Sequence, residues 1–154
     1  MRKNYSVYLL ICLETREVFY VGVTTNMYSR YYTHHAATGL SKVYRIIRQL
    51  VNDGQHFGME IVAKGLKINT AHLMERELIR AYKTRGNESQ GVLPVIVTGR
   101  DGIECIFASA AEAAQALVIS EATVVSRCSI PNKPFMGLKF RHPQTVDEIK
   151  HLEN

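Results

Sequence analysis

The chain is poor in cysteine and has no long apolar run. Cys12, Cys105 and Cys128 are three thiols in 154 residues, far apart and odd in number. They argue against a disulfide framework or a cysteine zinc site, and lead us to expect reduced thiols in a cytoplasmic compartment. No apolar stretch approaches the roughly 20 residues needed to span a bilayer. The opening "MRKNYSVYLLICLETRE" has two basic residues and a short apolar run, but polar Glu14 to Glu17 follow at once without a small-residue cleavage site. No signal peptide is expected there. Internal repeats, low-complexity tracts, glycine-rich phosphate loops and a Ser/His/Asp order are all missing. His72 and Glu75 stand three apart, but no second histidine completes an HExxH-like zinc set. One absence is local. The stretch "FYVGVTTNMYSRYYTHH", Phe19 to His35, holds Tyr20, Tyr28, Tyr31 and Tyr32, one arginine and two histidines, yet no carboxylate.

What is present is ordinary in bulk: 46% hydrophobic and 21% charged residues suit a globular protein of one domain, or one domain with a small appendage. The net charge of +5 is unevenly placed. Residues 1–91 carry 13 Lys and Arg against 7 Asp and Glu, whereas residues 92–154 carry 6 against 7. The positive field belongs to the first part and points to a polyanionic partner.

"YSVYLLICL" and "VFYVGV" flank "ETRE" and predict a β-hairpin. Pairing residues whose numbers sum to an even value near 32 puts Leu9, Ile11, Leu13, Phe19, Val21 and Val23 on one face. Tyr8, Leu10, Cys12, Val18, Tyr20 and Gly22 take the other. An odd sum mixes the sets, and a one-residue slip flips every side chain. The even sum requires a three-residue or bulged loop. Asn26 is placed to cap a helix running to about residue 37, with Arg30 and His34 four apart on one side. Ser41 is placed to cap a second helix with an apolar stripe of Val43, Ile46, Ile47 and Leu50, and Lys42, Arg45 and Arg48 outside. "FGMEIVAK" reads as a third strand. "NTAHLMERELIRAYKTRG" is the strongest helix, starting at Asn69 or Thr70 and ending at Gly86.

Gly91 to Pro94 is the expected junction between a 1–91 domain and a 92–154 module. Beyond it, "VIVTGRDGIECIF" predicts a hairpin around Gly99–Gly102. Ser109 with Glu112 forms a capping box for a short helix, Val118–Ile119–Ser120 a tight break, and Ser120 the cap of another helix. Two short helices so joined suggest a helix-turn-helix. "GLKFRH" is expected to return to the hairpin as a strand, and Thr145 with Glu148 to open a terminal helix.

Taken singly, the polar residues of the first part have bland readings as strand tyrosines or solvated helix faces. As a set, they carry more. Ser6-Val7-Tyr8, eleven residues, Tyr20-Val21-Gly22, then Arg30, His34 and Glu75 in "LMERELI" resemble a GIY-YIG nuclease over roughly residues 5–90. The first triplet departs from Gly-Ile-Tyr but keeps its tyrosine. The resemblance implies an α+β fold with a small three-stranded antiparallel sheet flanked by helices. It also implies hydrolysis of nucleic-acid phosphodiesters with one divalent cation, Mg²⁺ or Mn²⁺, held by a single glutamate. Glu75 matches that position better than Glu77, because the family's apolar pair follows three and four residues later. Asn87 in "RGNESQG" is the best match to the family's late asparagine, and Lys42 to a basic residue after the first helix.

The implied chemistry is coherent. Mg²⁺ prefers oxygen ligands and keeps several waters, so one carboxylate suffices. Arg30 would grip the scissile phosphate as a fork donor. By the resemblance, Tyr8 or Tyr20 would orient and deprotonate the attacking water, with Tyr8 preferred as base and His34 assisting. Gly22, lacking a side chain, would let backbone or substrate approach the tyrosines. Residues 95–142 resemble the helix-turn-helix modules that follow phage and intron-encoded homing nucleases. The second helix would present Ser120, Thr123, Ser126 and Arg127 to a major groove, with Lys133, Lys139 and Arg141 on phosphates. In the first part, Lys42, Arg45 and Arg48 would serve similarly. The expectation is a homing-endonuclease-like enzyme acting on double-stranded DNA in the cytoplasm of a bacterial or phage-infected cell. Its rivals are a non-catalytic DNA-binding regulator and a nuclease specific for branched or flap DNA.

Overall fold

The computed structural model describes residues 3–89 and 91–154. The chain divides into two compact units, Met1–Gly91 and Val92–Asn154.

In the first unit, β1 (Tyr5–Cys12) and β2 (Val18–Thr24) form the expected hairpin, and β3 (Phe57–Leu66) adds to the other side of β1. The sheet order is β2-β1-β3, all antiparallel. Helix α1 (Met27–Ala36) is capped by Asn26, whose side chain accepts from the Ser29 N–H at 2.9 Å. Helix α2 (Lys42–Asn52) buries Val43, Ile47 and Leu50. Helix α3 (Ile68–Tyr82) follows β3. The two sheet faces have separate cores. Tyr8, Leu10, Cys12 and Phe19 pack with Val43, Ile47 and Leu50, whereas Val7, Leu9, Ile11 and Val21 pack with Ala71 and Ile79 of α3.

The hairpin register has the even sum from Ser6↔Thr24 to Leu10↔Tyr20, then shifts to Ile11↔Val18. Phe19 is the extra residue of a bulge. The bulge corrects the expected faces: Phe19 joins the Tyr8 side and Val18 packs on the Leu9 side. Tyr8 and Tyr20 do share a face, with ring centroids 6.1 Å apart.

Three end assignments also change. α3 begins at Ile68 after Lys67, so Asn69 and Thr70 lie inside its first turn, where both are buried. It stops at Lys83, whose φ of 50° closes it, and not at Gly86. Gly86 serves a close approach: its N–H donates to the Phe19 carbonyl at 2.7 Å, and a Cβ there would lie 2.5 Å from that oxygen. Ser41 precedes α2 but makes no side-chain cap. The Glu88 carboxylate accepts from the Lys42 N–H at 2.9 Å in its place.

In the second unit, β4 (Val95–Thr98) and β5 (Glu104–Phe107) form the hairpin, and β6 (Lys139–Arg141) returns to β4, giving the order β5-β4-β6. Helices α4 (Ala110–Leu117) and α5 (Glu121–Cys128) are capped by Ser109 and Ser120, and α6 (Val146–Glu153) by Thr145. Val118 closes α4 with φ 56° while 91% exposed. Ala113, Ala114, Val124 and Cys128 pack on Val95, Val97 and Phe140.

Candidate active site

The candidate side chains come from both faces of the first sheet. On one face, β1 supplies Tyr8 and β2 supplies Tyr20. Helix α1 turns Arg30 and His34 the same way, because four residues are just over one helical turn. From the other face, α3 supplies Glu75.

Tyr8 is sealed. Its ring has no exposure, and its hydroxyl lies 2.8 Å from His34 Nε2. Opposite Tyr8 in the ladder stands Gly22. A Cβ there would fall 2.4 Å from the phenol oxygen, so the missing side chain is what makes room for the ring. Tyr20 keeps part of its surface. Its ring and that of His34 have centroids 5.5 Å apart and planes inclined at 65°. Tyr44 of α2, which the sequence did not single out, lies 5.8 Å from the His34 ring. Its place beside Val43 and three before Ile47, on the border of the apolar stripe, was the available signal.

The electrostatics follow from this burial. Desolvation pushes the Tyr8 phenol far up. Its interaction with Tyr20 adds to that, while Arg30 opposes it. Tyr20 is raised by burial too, but Arg30 pulls it down and the Tyr8 hydroxyl favours its ionised form. His34 is held neutral, its pKa lowered to about 4 by burial first, then by Arg30 and His35. Burial raises Glu75 to about 7, against the pull of Arg30. Arg30 is thus the common neighbour, felt by Tyr8, Tyr20, His34 and Glu75.

Asn87 stands apart from these hydroxyls. Its Oδ1 accepts from the Val21 N–H at 3.0 Å and from Thr84 Oγ1 at 2.7 Å, and its Nδ2 donates to the Val21 carbonyl at 2.8 Å. Both ends of the amide are spent on pinning the loop after α3 to β2. That positions Tyr20 and Gly22 from behind.

Glu75 is the carboxylate by which this set could hold a divalent cation. Among the described residues, no three His, Cys, Asp or Glu side chains cluster. A half-buried carboxylate beside one arginine can nonetheless give a hard and largely hydrated cation the single oxygen ligand it takes from a protein. Glu75 would hold it.

The expected nucleic-acid contacts divide. Lys42 and Arg45 are exposed on α2. Arg48 spends its guanidinium on the carbonyls of Ala37 (2.6 Å) and Gly39 (2.8 Å), just past the end of α1. In the second unit, Ser120 and Ser126 are exposed, and the Thr123 hydroxyl lies 2.7 Å from Ser120 Oγ. Arg127 stacks over Phe135 at 4.5 Å. Lys133 and Lys139 are exposed, whereas Arg141 pairs with both Glu104 (3.1 Å) and Glu148.

Residues 4–88, just over half of the chain, match the family model for the GIY-YIG catalytic domain. No curated protein and no solved structure matches the chain significantly.

Proposed function

We propose that this chain, which belongs to the GIY-YIG family of nucleases, is a metal-dependent DNA endonuclease that hydrolyses phosphodiesters at the Tyr8–Tyr20–Arg30–His34–Glu75 cluster. The observation that carries this reading is that the charge of Arg30 acts on the other four side chains at once. A solvated arginine on a helix face would have no such set of partners.

Arg30 binds the scissile phosphate and withdraws charge from it. The attacking water is deprotonated by Tyr20, and Tyr8 supports it. This reverses the roles expected from the sequence, and burial is the reason: Tyr8 has no surface for a water to reach, and Tyr20 has some. With the proton on Nε2, neutral His34 donates to the Tyr8 oxygen, leaving the Tyr8 hydroxyl free to donate to a Tyr20 phenolate. A magnesium or manganese ion on Glu75 would supply charge relief at the phosphate and at the leaving 3′ oxygen. Asn87 keeps β2 in place.

The second unit is read as a helix-turn-helix that directs the nuclease to DNA in the manner of homing endonucleases. The tight Val118–Ser120 break and the exposure of Ser126 on α5 support it. Lys133 and Lys139 are its open cations; Arg141 is engaged internally.

Supercoiled plasmid with Mg²⁺ is the test. Glu75→Ala and Arg30→Ala are each expected to lower cleavage by about 10²–10³-fold, the usual loss for a transition-state contact. Metal-dependent cleavage that survives both substitutions would sink the site assignment.

A further inference from the structure

Helix α1 has a second polar-aromatic side that the active site does not use. Arg30 and His34 face the phenols, whereas Tyr28, Tyr31 and Tyr32 lie on its solvent side, against Met59 and Ile61 of β3. Tyr28 is 73% exposed, Tyr32 54% and Tyr31 43%. The rings form a continuous ledge, with centroids 4.6 Å apart for Tyr28 and Tyr32 and 5.6 Å for Tyr31 and Tyr32. It continues through His35, 4.1 Å from Tyr31, to Phe57, 4.6 Å further on. Three adjacent exposed tyrosines on one short helix are unusual for a free surface, since aromatic rings are normally buried.

The segment that carries them says what would cover them. From Val18 to Asn52 the chain has no carboxylate, and besides Arg30 on the active-site side of α1 it has the exposed Lys42 and Arg45. Aromatic faces set in a cationic stretch suit a polyanion with flat apolar groups, which is a nucleic-acid strand. In perfect duplex the base faces are already stacked on one another and closed to a side chain. An exposed ring can stack only on a base that is unpaired. The ledge overlies β3, two strand spacings from β2, or about 10 Å. A strand at about 3.4 Å per nucleotide covers that in roughly three nucleotides.

We propose that this ledge is a stacking site for unpaired bases of the DNA strand entering the active site, so that the enzyme favours substrates with single-stranded character a few nucleotides from the cut. The inference rests on the nuclease reading above and adds a preference among DNA substrates.

Binding without metal tests it apart from cleavage. The full chain, in EDTA, is titrated with a 20-residue oligothymidylate and with a perfect duplex of equal length. Tyr28→Ser with Tyr32→Ser should weaken oligothymidylate binding by about tenfold or more, given what one stacked base contributes. Duplex binding should stay within twofold. Tyr28→Phe with Tyr32→Phe keeps the rings and should behave as wild type on both. Absent or unchanged oligothymidylate binding, or equal losses on both DNAs, overturns the proposal. So does a dimer in sedimentation that the serine pair dissociates, which would assign the face to a second copy of the chain. Glu75→Ala leaves the ledge intact. Single-strand binding without any cleavage by the wild type would therefore defeat the nuclease reading while leaving the ledge standing.

Discussion

The Tyr8 hydroxyl sits 2.8 Å from His34 Nε2, and neither side chain reaches solvent. His34 Nδ1 is buried without a hydrogen-bond partner among the described residues. The imidazole therefore depends on Tyr8 for its one polar contact. Tyr20, by contrast, lies part-way in solvent and shares its hydroxyl with Tyr8, which has His34 as a second partner.

That asymmetry separates two substitutions that look alike in sequence. Tyr8→Phe should cost about 1–3 kcal/mol of stability, because it strands a buried imidazole, and should lower cleavage as well. Tyr20→Phe should cost less, about 0.5–1 kcal/mol, because it removes one hydrogen bond while Tyr8 keeps His34 as a partner. It should still reduce cleavage by about 10²-fold or more, as loss of a general base does. The readout is convenient. All eight tyrosines lie between residues 5 and 82 and the chain has no tryptophan, so tyrosine fluorescence in urea follows the first unit alone. Equal stability losses for both variants would contradict the assignment of roles.

Gly22 offers a steric test of the same arrangement. A methyl at that position would sit 2.4 Å from the Tyr8 oxygen, and Tyr8 is too enclosed to step aside. Gly22→Ala should destabilise the first unit by about 1–3 kcal/mol, as overpacking does, and should abolish most cleavage. Combining it with Tyr8→Phe removes the hydroxyl, one of the two atoms at 2.4 Å, while ring carbon Cζ stays, so the clash is eased and not abolished. The double variant should therefore be less destabilised than the sum of the two single ones, a coupling that urea midpoints and slopes will measure.

Several of these relationships were legible in the sequence, and the failures have physical causes. Alternation of apolar residues was enough to put Tyr8 and Tyr20 on one sheet face. It misplaced Phe19, because a bulge interrupts the period of two on which alternation depends. Gly86 resembled a helix stop because glycine marks both left-handed caps and close approaches; here Lys83 takes the cap and Gly86 the approach. Arg48 and Arg141 looked like open cations. Their partners are the carbonyls at the end of α1 and the carboxylates of Glu104 and Glu148, and nothing local announces either. The five side chains were grouped by the resemblance to the GIY-YIG family, not by any local pattern. Which hydroxyl is sealed depends on the His34 ring and the missing Cβ of Gly22, both brought there by tertiary packing.

Val118 carries the clearest backbone strain in the second unit. A β-branched residue at φ 56° is costly, by about 1–2 kcal/mol, and with 91% exposure it recovers little by burial. Glycine meets no such cost but is more flexible when unfolded, which offsets part of the gain. Val118→Gly should therefore stabilise the second unit by about 0.5–1 kcal/mol. Far-UV circular dichroism will register the shift, whereas tyrosine fluorescence, confined to the first unit, should not move. Loss of stability would mean that Val118 makes contacts worth more than its strain.

Glu75 and His34 oppose each other in pH. In the folded chain without metal, Glu75 takes up a proton near pH 7, against 4.5 as its ordinary value. Between those limits the folded state binds more protons than the unfolded one, so this group adds stability as pH falls and loses it as pH rises towards 7. His34 does the reverse. It charges near pH 6.5 when unfolded but near 4 when folded, so acidification through that window favours the unfolded chain. In EDTA the two effects should largely cancel, leaving the wild type nearly flat between about pH 4.5 and 6.5. Glu75→Gln removes one side of the balance and should lose about 3 kcal/mol on acidification across the His34 window. His34→Gln should show a slope of opposite sign, gaining stability as pH falls. Magnesium gives a third arm. If Glu75 is the residue that holds it, added Mg²⁺ keeps that carboxylate ionised, and the wild type should acquire the acid-sensitive profile of Glu75→Gln. A wild-type profile that magnesium leaves flat would remove Glu75 as the metal ligand, whatever the cleavage assay shows.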